Sequence, residues 1–94
     1  MTDAVVTRLL SIRGRVQGVG FRDAMCAEAT RLQVRGWVRN RRDGSVEAMI
    51  QGTPDQLAAM EQWVHRGPPA AQVLRVEVTE GYGSFSRFDR WPTA

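Results

Sequence analysis

The chain has 94 residues, a formal net charge of +3 and 13 basic residues, all of them arginine. A chain of this length can bury a workable core without metals or disulfides, so we expect a single domain over residues 1–94. The arginines are scattered among ten acidic residues, which indicates a mild preference for anions and argues against a nucleic-acid-binding stripe.

The sequence offers few residues for metal sites, disulfides or membrane spans. Cys26 is the one cysteine and His65 the one histidine, so there is no internal disulfide and no cluster of soft metal ligands. No segment approaches the roughly 18 apolar residues of a membrane span, and the N-terminus lacks a signal-peptide pattern. We expect a cytoplasmic protein with no metal and no cofactor, in which Cys26 is a packing residue.

The first predicted elements are a strand and a helix. Residues 7–14 place Leu10 and Ile12 on one face in alternation, which is typical of a strand buried on one side. From Phe21 the apolar positions recur at spacings of three and four, which predicts a helix that ends near Leu32.

A hairpin follows the first helix. Residues 34–41 and 45–52 predict two strands joined by a turn that contains Gly44, where a positive φ is available. The second of these strands has one apolar face, which we expect to be covered. Its other face carries Met49 and Gln51, and we expect that face to be wetter.

The second helix has clear signals at both ends. Thr53 is the predicted N-cap and Gln56 completes a capping box, with a proline at the first helical position. The sequence GPP at 67–69 ends the helix. Residues 73–80 alternate apolar and polar side chains, which predicts a fourth strand.

The last segment, residues 84–91, predicts at most a short fifth strand at a sheet edge. In a regular strand Phe85 and Trp91 would point to one face and Phe88 to the other. The element order β-α-β-β-α-β is that of an α+β protein, a ferredoxin-like split-βαβ sandwich. We expect an antiparallel sheet with two helices on one face.

The loop between the first strand and the first helix carries the strongest functional signal. Residues 14–22 read GRVQGVGFR, with three glycines and two arginines in nine positions. Backbone N–H groups at such a junction, together with the positive helix end, form an anion-binding concavity. Arg22 begins the helix beside it and can bind two phosphate oxygens at once. The predicted ligand is an oxyanion of phosphate size.

Two common phosphate-binding loops do not fit this sequence. A nucleotide-binding P-loop needs a lysine, and the chain has none. A dinucleotide-binding loop that begins at Gly18 and Gly20 would need its third glycine at Asp23.

Three segments resemble the acylphosphatase family. The loop at 14–22 looks like the phosphate-binding loop of that family, and GWVRNRRDGSVEA at 36–48 resembles its second motif. The sequence GPPAAQV at 67–73 is similar to a third landmark after the second helix. Together the matches and their spacing cover residues 7 to about 80.

This resemblance implies a ferredoxin-like fold and hydrolysis of the carboxyl-phosphate anhydride of acyl phosphates without a metal. The family pattern implies that Arg22 and Asn40 are catalytic, with Arg22 on the phosphoryl group and Asn40 on the attacking water. It also implies that loop amides hold the phosphoryl group, at the positions Arg15, Val16, Gln17, Gly18, Val19 and Gly20. Inorganic phosphate would be both product and competitor, and we expect a monomer with no nucleic-acid or membrane partner.

The sequence departs from the family pattern at two places. Gln33 stands where family members typically have a glycine that caps the first helix in the left-handed conformation. The last strand is interrupted by Arg87 and Asp89, which leaves its register open.

Two other functions remain open at this point. A ferredoxin-like module could use the same loop for nucleic-acid phosphates, although the central strands supply one aromatic residue, Trp37, where two or three are usual. The chain also resembles the acylphosphatase-like domain of large hydrogenase maturation proteins, which continue with zinc-binding cysteine clusters. No residue of the loop is expected to recognise the acyl group of a substrate, so we expect broad substrate specificity.

Overall fold

The computed structural model describes residues 4–94, with five strands and two helices. In chain order they are β1 Val6–Arg15, α1 Phe21–Leu32, β2 Arg35–Asn40, β3 Val46–Gly52, α2 Pro54–Arg66, β4 Gln72–Glu80 and β5 Phe88–Arg90. The predicted elements and their order are therefore confirmed. Neither of the helices in this part of the chain is long and apolar enough to cross a membrane.

The strands form one sheet in the order β4-β1-β3-β2-β5. The pairs β1·β3, β1·β4 and β2·β3 are antiparallel, as the split-βαβ pattern predicts. The expected antiparallel sheet is present except at one edge, where β5 pairs parallel to β2. The segment after β4 first crosses the sheet, so it reaches β2 running in the same direction as that strand.

Local capping explains the helix boundaries. Thr53 accepts a hydrogen bond from the backbone N–H of Gln56, whose side chain accepts one in return from the N–H of Thr53, so the predicted capping box is present. At the end of α1, Gln33 adopts the left-handed conformation with φ 62°. A side chain with a Cβ atom therefore occupies a position that glycine usually fills.

The hydrophobic core lies between the helices and one face of the sheet. It combines strand residues with residues of both helices, and all of the following are at most 2% exposed: Leu10, Ile12, Val38, Val46, Ala48, Ile50, Phe21, Met25, Ala29, Leu57, Met60 and Val64. The predicted two-layer arrangement, with both helices on one face, follows from this shared core.

The opposite face of the sheet is less wet than its sequence predicts. Met49 and Gln51 are 1% and 6% exposed, because the segment after β4 crosses over them. The Gln51 side chain donates to the carbonyl of Gly83 at 2.8 Å and accepts from the N–H of Phe85 at 3.1 Å. The prediction of a wetter second face is therefore wrong at these two positions.

The register of the last strand is settled by packing on both faces. Phe88 packs against the core, whereas Trp91 stacks on Trp37 on the other face, with ring centroids 4.4 Å apart. Arg39 lies over the Trp37 ring at 5.0 Å, so Trp37 is 6% exposed. These contacts connect the end of the chain to β2, the strand that ends at Asn40.

Candidate active site

The glycine loop follows β1 and leads directly into α1. Gly18 and Gly20 have φ values of 72° and 77°, in the region that favours glycine. Gly20 is the N-cap of α1 and has no side chain to bond the first-turn N–H groups. A helix start without a side-chain cap presents its N–H groups and its positive end to an external anion.

A pocket of about 180 Å³ lies at this helix start. Eight residues line it: Val16, Gly18, Gly20, Phe21, Arg22, Asp23, Asn40 and Arg90. Arg22 and Asn40, which are 18 positions apart in the sequence, thus face one cavity. Three of the six predicted loop positions, Val16, Gly18 and Gly20, also line it.

The other three predicted loop residues lie outside the pocket lining. Arg15 ends β1 and pairs with Gln72 of β4. The Gln17 side chain turns away and donates to the carbonyls of Arg41 and Ser45, at 2.7 and 2.9 Å. Val19 packs against the core. The side chains of Gln17 and Val19 therefore anchor the loop, so that their backbone is the part available to an anion.

The C-terminal segment supports both predicted catalytic residues. The Arg22 guanidinium donates to the carbonyl of Trp91 at 3.2 Å. The backbone carbonyl of Asn40 accepts from the N–H of Ala94 at 3.0 Å. Asn40 itself lines the pocket, where its side-chain amide can meet a ligand or a water molecule.

Two charged residues of the pocket were missed by the sequence reasoning. Asp23 and Arg90 both line it, and the Arg90 guanidinium donates to the Asp23 carboxylate at 2.8 Å. Asp23 could have been found from its place beside Arg22. Arg90 carries no such signal, because its approach to the pocket depends on the parallel pairing of β5 with β2.

Cys26 lies one helical turn after Arg22 and packs partly against the core. Burial raises the pKa of its thiol, and the nearby Asp23 carboxylate raises that pKa further. A thiol with a raised pKa is a poor nucleophile near neutral pH, which agrees with the predicted packing role. Within residues 4–94 no three His, Cys, Asp or Glu side chains are grouped as metal ligands.

The fold and the pocket define a class: a small α+β protein with a ferredoxin-like sandwich and a pocket lined by a glycine loop, a helix start and arginines. A family model for acylphosphatase matches residues 9–89. Acylphosphatase 1 of Ralstonia nicotianae is 57% identical over 88 residues, which cover 94% of this chain and 86% of that protein. The crystal structure of acylphosphatase from Bacillus subtilis matches with a TM-score of 0.87 and 34% identity, over 94% of this chain and 99% of that one. The chain therefore belongs to the acylphosphatase family of enzymes.

A more distant likeness concerns a much longer protein. The crystal structure of full-length HypF in the phosphate- and nucleotide-bound form matches with a TM-score of 0.89 and 22% identity. The match covers 99% of this chain and 13% of that one. At this identity the likeness shows the fold alone.

Proposed function

We propose a mechanism for the acyl phosphate hydrolysis that membership of this family assigns to the chain. The backbone amides of residues 15–20 and the guanidinium of Arg22 hold the phosphoryl group at the start of α1. The side-chain amide of Asn40 binds the attacking water. The products are a carboxylate and inorganic phosphate. One observation carries this assignment: Arg22 and Asn40 line the same pocket as the glycine loop.

The chemistry suits these residue types. A carboxylate is a good leaving group, so the reaction needs little acid catalysis and depends on charge stabilisation and on placing the water in line. The guanidinium can form two parallel hydrogen bonds to phosphoryl oxygens. The neutral Asn40 amide holds water without repelling the phosphate, whereas a carboxylate at that position would repel it. The proton of the water goes to the substrate's own phosphate, so no protein base is needed.

Metal independence is part of the proposal. It is supported by the donor set, since residues 4–94 contain no grouped His, Cys or carboxylate ligands. Hydrolysis of benzoyl phosphate in excess chelator should proceed at an unchanged rate, and inorganic phosphate should inhibit competitively. Loss of activity in chelator with recovery on adding Mg²⁺ or Zn²⁺ would refute this part of the mechanism.

The two catalytic roles predict different kinetic defects. Arg22 holds the phosphoryl group throughout the reaction, so Arg22→Ala should weaken phosphate binding and abolish detectable turnover together. Arg22→Lys should also be severe, because an ammonium cannot reproduce the two parallel hydrogen bonds. Arg75→Ala, an exposed change on β4, is a matched control that should leave both constants unchanged.

Asn40 contacts only the water in this mechanism. Asn40→Ala should therefore keep phosphate affinity within a few-fold of wild type while kcat falls by about 10² or more. Asn40→Asp should additionally weaken phosphate binding through charge repulsion. A folded Asn40→Ala protein with a near-normal kcat would remove the water-positioning role.

We further propose that the protein acts in the cytoplasm as a monomer, as one domain over residues 1–94, without nucleic-acid or membrane partners. Burial of Trp37 beneath Trp91 and Arg39 supports the absence of a nucleic-acid partner, because the Trp37 ring on β2 is not open for stacking on a base. Single-stranded RNA and DNA should bind no better than non-specifically at physiological salt. Submicromolar, sequence-selective binding in an anisotropy titration would favour the nucleic-acid alternative.

A further inference from the structure

The pocket contains an ion pair that the hydrolytic mechanism does not use. Arg90 approaches from β5 and Asp23 from the first turn of α1, and their side chains meet at 2.8 Å. Both line the same cavity as Arg22 and Asn40. Asp23 is the one carboxylate in this lining, and Arg90 is the second guanidinium.

The pair lies at the outer rim of the pocket. The side chains of Arg90 and Asp23 are 49% and 72% exposed, whereas Val16 and Phe21 at the inner wall are 1% and 2% exposed. In the proposed mechanism the phosphoryl group is bound by the loop amides and Arg22, in the inner part of the pocket. The acyl group attached to it must then extend toward solvent past the rim, where Arg90 and Asp23 are the charged groups.

We propose that Arg90 is a specificity-determining residue, which favours acyl phosphates whose acyl group carries a second negative charge. This inference rests on the proposed function, since it assumes that the loop holds the phosphoryl end. In the structure Asp23 is the partner of Arg90. When a substrate with an anionic acyl group binds, the guanidinium exchanges Asp23 for the carboxylate of the substrate.

The exchange is energetically accessible because the pair is exposed. Solvent-exposed ion pairs contribute little to stability, so releasing Asp23 costs little. A substrate carboxylate held by its covalent link to the bound phosphoryl group is presented to Arg90 at high effective concentration. Without Arg90, the same carboxylate would face Asp23 and be repelled.

A simpler role for Arg90 is to neutralise Asp23, which would otherwise repel every phosphorylated substrate. The two roles separate in a charge-balanced double variant. In D23N/R90Q the rim has the same net charge as in the wild type but no cation. Neutralisation alone predicts that this variant recovers all wild-type behaviour, whereas recognition predicts that it recovers only the hydrolysis of substrates with a neutral acyl group.

The experiment compares benzoyl phosphate with 4-carboxybenzoyl phosphate, which differ by one carboxylate, and measures the ratio of their kcat/KM values. R90Q should reduce both values and lower the preference for the carboxylated substrate by about fivefold. D23N/R90Q should restore benzoyl phosphate hydrolysis to within about twofold of wild type while the preference stays reduced. R90K, which keeps the charge, should retain most of the preference.

R87Q is the matched control, because Arg87 belongs to the same segment, is 80% exposed and does not line the pocket. Its preference should equal that of the wild type, and added salt should weaken the wild-type preference. A preference that is unchanged in folded R90Q, or fully restored in D23N/R90Q, would overturn the inference. Failure of the wild type to hydrolyse benzoyl phosphate would instead refute the proposed function.

Discussion

Replacing Gln17 tests how the glycine loop is held against the strand that carries Asn40. The Gln17 amide donates both of its hydrogens across the gap between the loop and the β2–β3 turn, to the carbonyls of Arg41 and Ser45. Gln17→Ala removes this clamp without changing any residue of the pocket lining. It should reduce both stability and turnover.

The size of the stability loss follows from what each carbonyl keeps. The Ser45 carbonyl still accepts from the N–H of Arg41 at 2.8 Å, and the Arg41 carbonyl from the N–H of Gly44 at 3.2 Å. Neither acceptor is orphaned, so the loss is that of two ordinary hydrogen bonds, about 2 kcal/mol in total. For a chain of this length, that lowers Tm by roughly 10 °C.

Activity should fall by more than phosphate affinity. The loop keeps its glycines and the start of α1, so binding of inorganic phosphate should weaken only a few-fold. The distance between the phosphoryl group and the water on Asn40 is less well controlled, so kcat should fall by about tenfold. Urea denaturation, competitive inhibition by phosphate and benzoyl phosphate kinetics measure the three quantities.

Gln62→Ala is the control, since Gln62 is exposed on α2 and far from the pocket in the sequence. It should change the free energy of unfolding by no more than about 0.5 kcal/mol. The reasoning would be refuted if Gln17→Ala kept the wild-type kcat and its free energy of unfolding lay within about 0.3 kcal/mol of wild type, which is roughly the additivity error. The two Gln17 hydrogen bonds would then have no positioning role.

Three further predictions concern single side chains. Gln33→Gly should raise the free energy of unfolding by about 0.5–1 kcal/mol in urea denaturation, because φ at this position is 62°; a loss of stability would contradict the strain argument. Cys26 should react slowly with iodoacetamide at pH 7, since burial raises the pKa of its thiol, and Cys26→Ala should keep wild-type kcat. Hydrogen bonds from the hydroxyl and N–H of Ser45 lower the pKa of Asp43 below its ordinary 3.8, so the stability contributed by the ionised carboxylate is present above about pH 4 and is lost as the pH falls through the lowered pKa. In an NMR titration of the Asp43 carboxyl, the midpoint should be higher in Ser45→Ala than in the wild type. An unchanged midpoint would count against the role of the hydrogen bonds.

Local sequence signals determined most of the fold and the inner part of the pocket. The capping box at Thr53 and the GPP sequence after Arg66 act within a few residues, so they set the limits of α2 independently of the rest of the chain. The glycines of the loop act in the same way, since Gly18 and Gly20 adopt positive φ values that other residues rarely reach. Period-two and period-3.6 patterns then identified the strands and helices whose packing brings Arg22 and Asn40 together.

Only the tertiary structure decided what happens after β4. The segment from Gly81 to Phe85 crosses one face of the sheet and buries Met49 and Gln51 there. The alternation of side chains along β3 predicted that this face is exposed to solvent, and no local sequence pattern predicts such a crossing. β5 then pairs over three residues, too few for a periodic signal, and its parallel pairing with β2 comes from Phe88 in the core and Trp91 on Trp37. The position of Arg90 at the rim of the pocket is a consequence of that register, because a shift by one residue would move its side chain to the opposite face of the sheet.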